Sequence, residues 1–413
     1  MGNAYFNLAK NSAKPEQNYK YALQAFDIAA KQGVNDAYFN RGLTLYKLMR
    51  IKDALDSFRY YNKNTPEKLF MMANCYYLLA ANPGQSKRQQ TEQLEKARKL
   101  YEKLKKKRKS SDVLYYNLLM TYYKLGNAAL LKSTLKEYEK SSVSAGKQDD
   151  IIYFYKALGS IYDSRKDYDS EIGTYSYALT KFPQNASFMY RLGIAYENAK
   201  EFDKAIETYQ KLRNEVKEDE YPDVYYRIAF INYKLGKITQ AAQILEHMRT
   251  TLGENEDILY LLGDIYYKKK EYDLAEDNFN KVIKQYKDKK AVSLSYAKLA
   301  EIYDNRQNFT AAISYIDKAI KTDAKNPGFY YNKAIILHHK GDLIGARDAL
   351  NLAKSMVDFD QDIYINLGNI YFELGKFDQA RKMYNAVLKH VPDNIEAAYN
   401  LNQILKVEGR IKK

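Results

Sequence analysis

The sequence predicts an all-α chain of paired helices repeated end to end, and three observations predict it. Small residues recur 34 residues apart, at Gly159 and Gly193, at Ala229 and Gly263, and at Ala300, Ala334 and Gly368. Twelve residues after several small positions stands an alanine (Ala54, Ala205, Ala275, Ala380), and four residues further a large ring (Phe58, Tyr209, Phe279, Tyr384). Prolines close some units at a fixed offset, at Pro66, Pro183 and Pro392. Small residues on two successive helices let the backbones approach, and large side chains fill the space to the next pair. One pair buries too little apolar surface to be stable alone, so neighbours must stack.

With small residues at positions 8 and 20, aromatics at 4, 11 and 24, and proline at 32, the pattern resembles the tetratricopeptide repeat family. The stretch Tyr364-Ile-Asn-Leu-Gly-Asn-Ile-Tyr371, followed by Phe377-Asp-Gln-Ala380, is close to the family pattern. The resemblance implies a right-handed α-solenoid superhelix of tandem pairs, helix A then helix B. Position 8 reads Gly2, Gly42, Ala73, Leu119, Gly159, Gly193, Ala229, Gly263, Ala300, Ala334 and Gly368, which makes eleven repeats.

Each repeat has its own reading. Helix A of repeat one lacks its first seven positions, as expected of a chain cut from within a longer array. Repeat one carries a longer A–B loop at Asn11–Asn18, and repeat three another at Asn82–Thr91 with the turn signal Asn82-Pro83-Gly84. Repeat four has Leu119 and Leu131 at the small positions, and repeat five has Glu171 in place of alanine. Looser packing, and any bend, is therefore expected near residues 130–175. After Pro392, Ile395–Val407 reads as a C-terminal capping helix that carries Asn400, Asn402, Gln403 and Lys406 among apolar residues, as a polar outer face requires. The resulting division is 1–145 (basic, repeats one to four), 146–393 (regular, repeats five to eleven) and 394–413 (cap and tail).

Charge is distributed unevenly. The formal charge is +15, of which +14 belongs to residues 1–140. The basic run Lys103, Lys105, Lys106, Lys107, Arg108 and Lys109 reads by default as a solvated helix end, where lysine suits the negative end of the dipole. The sharper reading is a face for an acidic partner or an anionic membrane surface. Nucleic acid is disfavoured, because no recognised binding motif is present. A single cysteine, Cys75, excludes internal disulfides and thiolate zinc clusters. No apolar run approaches the ~20 residues needed to span a bilayer.

The chain has 42 tyrosines and no tryptophan. Nineteen tyrosines fall at positions 4, 11 and 24 and are accounted for by packing. The resemblance places positions 5 and 12 on the inner groove. Position 5 holds Tyr116, Tyr190, Tyr226, Tyr260, Tyr331 and, in the cap, Tyr399; position 12 holds Tyr46, Tyr77, Tyr123, Tyr233 and Tyr267. Phe39, Phe70 and Phe372 extend the same stripe. A phenol offers apolar area, a hydrogen bond and few rotors to freeze, which suits a binding surface. Position 6 adds Asn332, Asn366 and Asn400, carboxamides able to track an extended peptide backbone. Arg191 and Arg227 at the same position suit a partner's carboxylate. The carboxylate clamp of chaperone-binding relatives is broken by Asp223.

No catalytic, metal or cofactor site is expected. His338 and His339 diverge by about 100° on one helix, so they cannot chelate together. His338 shares position 12 with Asp304 of the preceding repeat, and a charge-assisted pair or a solvated histidine is expected there. No phosphate-binding loop, dinucleotide fingerprint or nucleophile elbow is present. The expected function is a non-catalytic scaffold that binds protein or extended peptide segments in the aromatic groove. The family-level setting is assembly of a large complex, such as a bacterial envelope machine of the flagellar motor, secretion or pilus type. Two alternatives are the substrate-recognition part of a larger enzyme, such as a protein glycosyltransferase, and a peptide-binding co-chaperone.

Overall fold

The computed structural model describes residues 1–12, 14–107, 111–141, 144–217 and 219–409. Among them are 23 α-helices, from Gly2–Lys10 to Ile395–Val407, and no strands. They form eleven A–B hairpins and one final helix, and within each of the two units described next every helix packs on its successor in sequence. The chain divides into two compact units, Met1–Val216 (repeats one to six) and Lys217–Lys413 (repeats seven to eleven and the last helix).

Local chemistry explains the punctuation. Helix starts are marked by side chains that accept from the first free amides, including Thr65, Ser111, Asn185, Asn255, Asn326, Asp360 and Asn394. Pro15, Pro66, Pro222 and Pro327 occupy the first turn, where no amide partner is lost. Except in repeats one and three, where Ala9 and Ala80 are still helical, the A–B turn places position 15 in the left-handed region. Glycine stands there at Gly126, Gly236, Gly341 and Gly375, but Met49, Lys166, Lys200, Lys270 and Gln307 take the same conformation with φ of 57–63°.

The position-8 glycines have a steric reason. A Cβ on Gly42 would lie 2.6 Å from the Phe58 ring, and one on Gly263 2.7 Å from the Phe279 ring. Gly159 meets Tyr175, Gly193 meets Tyr209 and Gly368 meets Tyr384 in the same way. These rings are fully or almost fully buried. The small residue on helix A thus accommodates the large one on helix B.

One expectation is narrowed by the elements themselves and another is met. The loops of repeats one and three are shorter than expected, because residues 15–18 and 87–91 are already helical while residues 11–12, 14 and 82–86 are not. Helix B of repeat one already begins at Pro15 (Pro15–Lys31), and that of repeat three begins at Lys87 (Lys87–Lys106). Pro15 presets the first turn of one, and a Ser86/Gln89 capping box starts the other. The looser packing expected of repeats four and five is present, since their A–B hairpins are the most sparsely packed of the eleven. An apolar core nonetheless runs through them, including Leu119, Leu131, Tyr138, Phe154 and Tyr175, with both leucines fully buried. Glu171 is buried there too, at 4% exposure, and its Oε2 has no hydrogen-bond partner.

Candidate functional site

In the first unit, the stripe begins in apolar surroundings. Phe39 and Phe70 line a cavity of about 610 Å³ with Leu43, Met71, Leu104, Val113 and Leu114. Phe39 also packs on Phe58 and Tyr61, and Phe70 on Tyr101. Tyr46 and Tyr77 are half-buried. Burial pushes the Tyr77 phenol up to about 12, helped by nearby Tyr116 and Tyr153. Tyr123 meets Tyr153 at 6.5 Å and Tyr116 meets Phe154 at 5.4 Å, so four tyrosines and a phenylalanine share this part of the face. Tyr190 is half-buried, and Arg191 is exposed beside the Glu171 carboxyl. Of the basic run, Lys103, Lys106 and Lys107 are exposed and Lys105 pairs with Glu137 at 2.5 Å; Arg108 and Lys109 lie outside the described residues.

In the second unit the same positions meet polar neighbours. Tyr226 stacks on Phe230 with rings 10° from parallel, and Arg227 holds Asp223 one turn away at 3.1 Å. Tyr233 donates to Asp264, and Lys268 sits 4.0 Å over the Tyr233 ring. Tyr260 packs edge-on to Phe279, and Phe372 edge-on to Phe377. Lys298 lies 5.0 Å over the Tyr267 ring. Burial alone would lower its pKa, but Glu301 at 3.0 Å and Asp264 at 3.4 Å outweigh this and raise it, so the ammonium stays charged.

Two rung patterns, missed in the sequence, tie consecutive A helices across this face. Position 12 of one repeat meets position 13 of the next. Tyr77 lies under Lys124, Tyr233 under Lys268, and Tyr267 accepts from Asn305 at 3.1 Å. Asp304 meets His339 at 2.8 Å and His338 meets Glu373 at 2.9 Å. The expected pairing of Asp304 is thereby corrected from His338 to His339, because the facing position is one residue later than the matching one.

The second rung joins position 9 to position 6 of the next repeat. It pairs Asn3 with Asn40, Asn74 with Asn117, Asp264 with Lys298, Glu301 with Asn332 and Asn369 with Asn400. Where position 9 is Leu43, position 6 is Met71, and both line the apolar cavity. The one asparagine facing an apolar partner is Asn366, opposite Ile335. It donates instead to Tyr331 at 3.1 Å and to the Asp362 carbonyl at 2.9 Å. The position-6 asparagines therefore commit amide hydrogens within the chain. The readable signal was matched polarity between positions 9 and 6.

A cavity of about 560 Å³ gathers the last part of the stripe. Asn366, Phe372, Tyr399 and Asn400 line it with His338, Asn369, Glu373, Tyr384, Glu396 and Gln403. Tyr384 donates to Asn369 at 2.6 Å, and Tyr399 is 60% exposed. Among the described residues, no cluster of three or more His, Cys, Asp or Glu side chains could hold a metal. No described helix is long and apolar enough to cross a membrane. Cys75 is buried and its thiol is pushed up to about 12, far from a reactive thiolate.

Residues 145–369 match the family described as N-terminal acetyltransferase A, auxiliary subunit, and residues 362–394 match the tetratricopeptide repeat. The human protein O-mannosyl-transferase TMTC1 is 23% identical over 185 residues, 44% of this chain and 21% of that protein. A TPR repeat-containing protein of Methanocaldococcus jannaschii is 23% identical over 283 residues, 65% of this chain and 49% of that protein. The chain thus spans half or less of the length of these curated relatives. A crystal structure of a tetratricopeptide repeat protein from Parabacteroides merdae is similar with a TM-score of 0.49 and 15% identity, covering 61% of this chain and 98% of that one. The bacterial envelope setting finds no support in these matches. The chain belongs to the tetratricopeptide repeat proteins and, by its match over 145–369, to the family of the N-terminal acetyltransferase A auxiliary subunit.

Proposed function

We propose that this chain is a non-catalytic scaffold that holds a protein segment against the aromatic face of its A helices. The observation that carries the reading is the state of the stripe tyrosines. Tyr77, Tyr226, Tyr233 and Tyr267 are half-buried, anchored by a neighbouring ring, lysine or amide, and part of each stays open to solvent. Rings already fixed lose little entropy when a ligand covers them, so contact area converts to affinity at low cost. The family match supports an auxiliary role, with a catalytic subunit as the held partner.

The test is capture from native cells with wild-type and Tyr226→Ala/Tyr260→Ala baits. The expected outcome is loss of the partner with unchanged helical circular dichroism; equal capture by both baits overturns the groove reading. If the captured material transfers acetyl groups to peptide N termini, the partner is an acetyltransferase subunit. A second reading, the substrate-selecting part of a protein glycosyltransferase, is favoured by the mannosyl-transferase match. Sugar transfer to peptides by the natural full-length protein supports it, and its absence removes it.

A further inference from the structure

The cavity at the end of the second unit is lined by two carboxylates and several neutral amides, with no free cation among its lining residues. Asn366 uses both amide hydrogens within the chain, on Tyr331 and on the Asp362 carbonyl, which fixes its orientation and leaves Oδ1 as the free atom. Asn400 donates once to Asn369, whose Oδ1 also accepts from Tyr384, so Asn400 keeps its carbonyl oxygen and one amide hydrogen for a ligand. Glu396 lines the cavity, is exposed, and among the described residues makes no hydrogen bond or ion pair, though its charge acts on the Tyr384 and Tyr331 phenols. Glu373 adds a second carboxylate, and the one lining group able to become cationic, His338, is already held by it at 2.9 Å. Tyr399 and Phe372 contribute aromatic surface.

We infer that this cavity takes a cationic side chain, arginine or lysine, from the protein segment bound along the groove. The inference rests on the groove reading above and adds the chemistry of one subsite. A guanidinium brings five donors and no acceptor, an ammonium three donors and none, and both are attracted to aromatic faces. Carboxylates and free carbonyl oxygens are their complement, whereas a partner carboxylate would meet Glu396 and Glu373 with no cation to receive it. The cavity volume exceeds what one such side chain needs.

The probes are pentapeptides Gly-Ser-X-Ser-Gly with blocked ends, X being Arg, Lys, norleucine or Glu, titrated onto the whole chain by ligand-observed NMR. Arg and Lys peptides are expected to bind at least fivefold more tightly than norleucine, and Glu not at all. Glu396→Gln should weaken the Arg peptide about tenfold and leave norleucine unaffected. Since Glu396 is exposed, the variant should melt as wild type does, and a Tyr399→Ala variant gives an independent loss. Equal binding of Arg and norleucine, indifference to Glu396→Gln, or no binding by any probe overturns the inference. Partner capture that still depends on Tyr226 and Tyr260 would then leave the groove reading standing without it.

Discussion

Single positions show where this chain departs from an ideal repeat. Lys270 sits at φ 63° in the second unit, a conformation that costs a side chain-bearing residue ~1 kcal/mol. Lys270→Gly should therefore raise stability by about 0.5–1 kcal/mol, read from the denaturation midpoint, because relief of strain exceeds the added freedom of the unfolded chain. Glu171 is the stronger departure. Burial first, then the like charge of Asp163, raise its pKa from 4.5 to about 7, against the opposing pull of Arg191. A folded pKa above the unfolded one favours the protonated state, so this residue's contribution is fully present below about pH 4.5 and is lost as pH rises through 7. The loss amounts to about 2–3 kcal/mol. Glu171→Gln should flatten the fall in thermal midpoint between pH 5 and 8 and stabilise the protein at pH 8; an unchanged slope would mean the carboxyl is solvated. Its identity at the alanine position was plain from the sequence. The looser packing it brings was legible too; that it would nonetheless lie buried was not, because Leu119 and Leu131 belong to a core that reaches across several repeats.

At the level of the helix, a joint is a set of side chains rather than a pair. Asn369 accepts from the Tyr384 hydroxyl of its own repeat and from Asn400 of the following helix, and Asn74 does the same with Tyr101 and Asn117. Removing the acceptor strands two buried or half-buried donors, which is costlier than removing all the partners together. Asn369→Leu alone should cost about 2–3 kcal/mol by thermal or chemical denaturation. Adding Tyr384→Phe and Asn400→Met should recover most of it, imitating the apolar Leu43–Met71 joint. If the triple variant is no more stable than the single one, the network is not what holds this joint. Helix order and the last helix, Ile395–Val407, were legible because small residues, rings and prolines repeat at fixed spacing. The joints were not legible, because they connect non-equivalent positions of neighbouring repeats, and an alignment of like with like conceals such offsets. The same offset moved Asp304 from His338 to His339.

For the molecule as a whole, the sequence and the coordinates divide the chain by different properties. Charge separates residues 1–140 from the rest, while packing separates Met1–Val216 from Lys217–Lys413. Because a repeat array is stabilised mainly by nearest neighbours, each packing unit carries most of what it needs. Expressed apart, the pieces 1–216 and 217–413 should each keep helical circular dichroism and a cooperative melt; a piece that loses both would show that the division at Val216 is not a folding boundary. The 9-to-6 rungs bear on how such a chain can change over generations. Where an asparagine meets an asparagine or a glutamate, a lysine an aspartate, or a methionine a leucine, the repeat is fitted to the one before it. Asn366 opposite Ile335 shows that a mismatch can be met by partners within its own and the preceding A helix. A repeat copied or moved by recombination would arrive beside a stranger and leave its amide or ammonium facing hydrocarbon. The order of the repeats is thereby constrained by chemistry wherever such a rung is polar: at those joints the array can grow at an end more readily than it can be reshuffled inside.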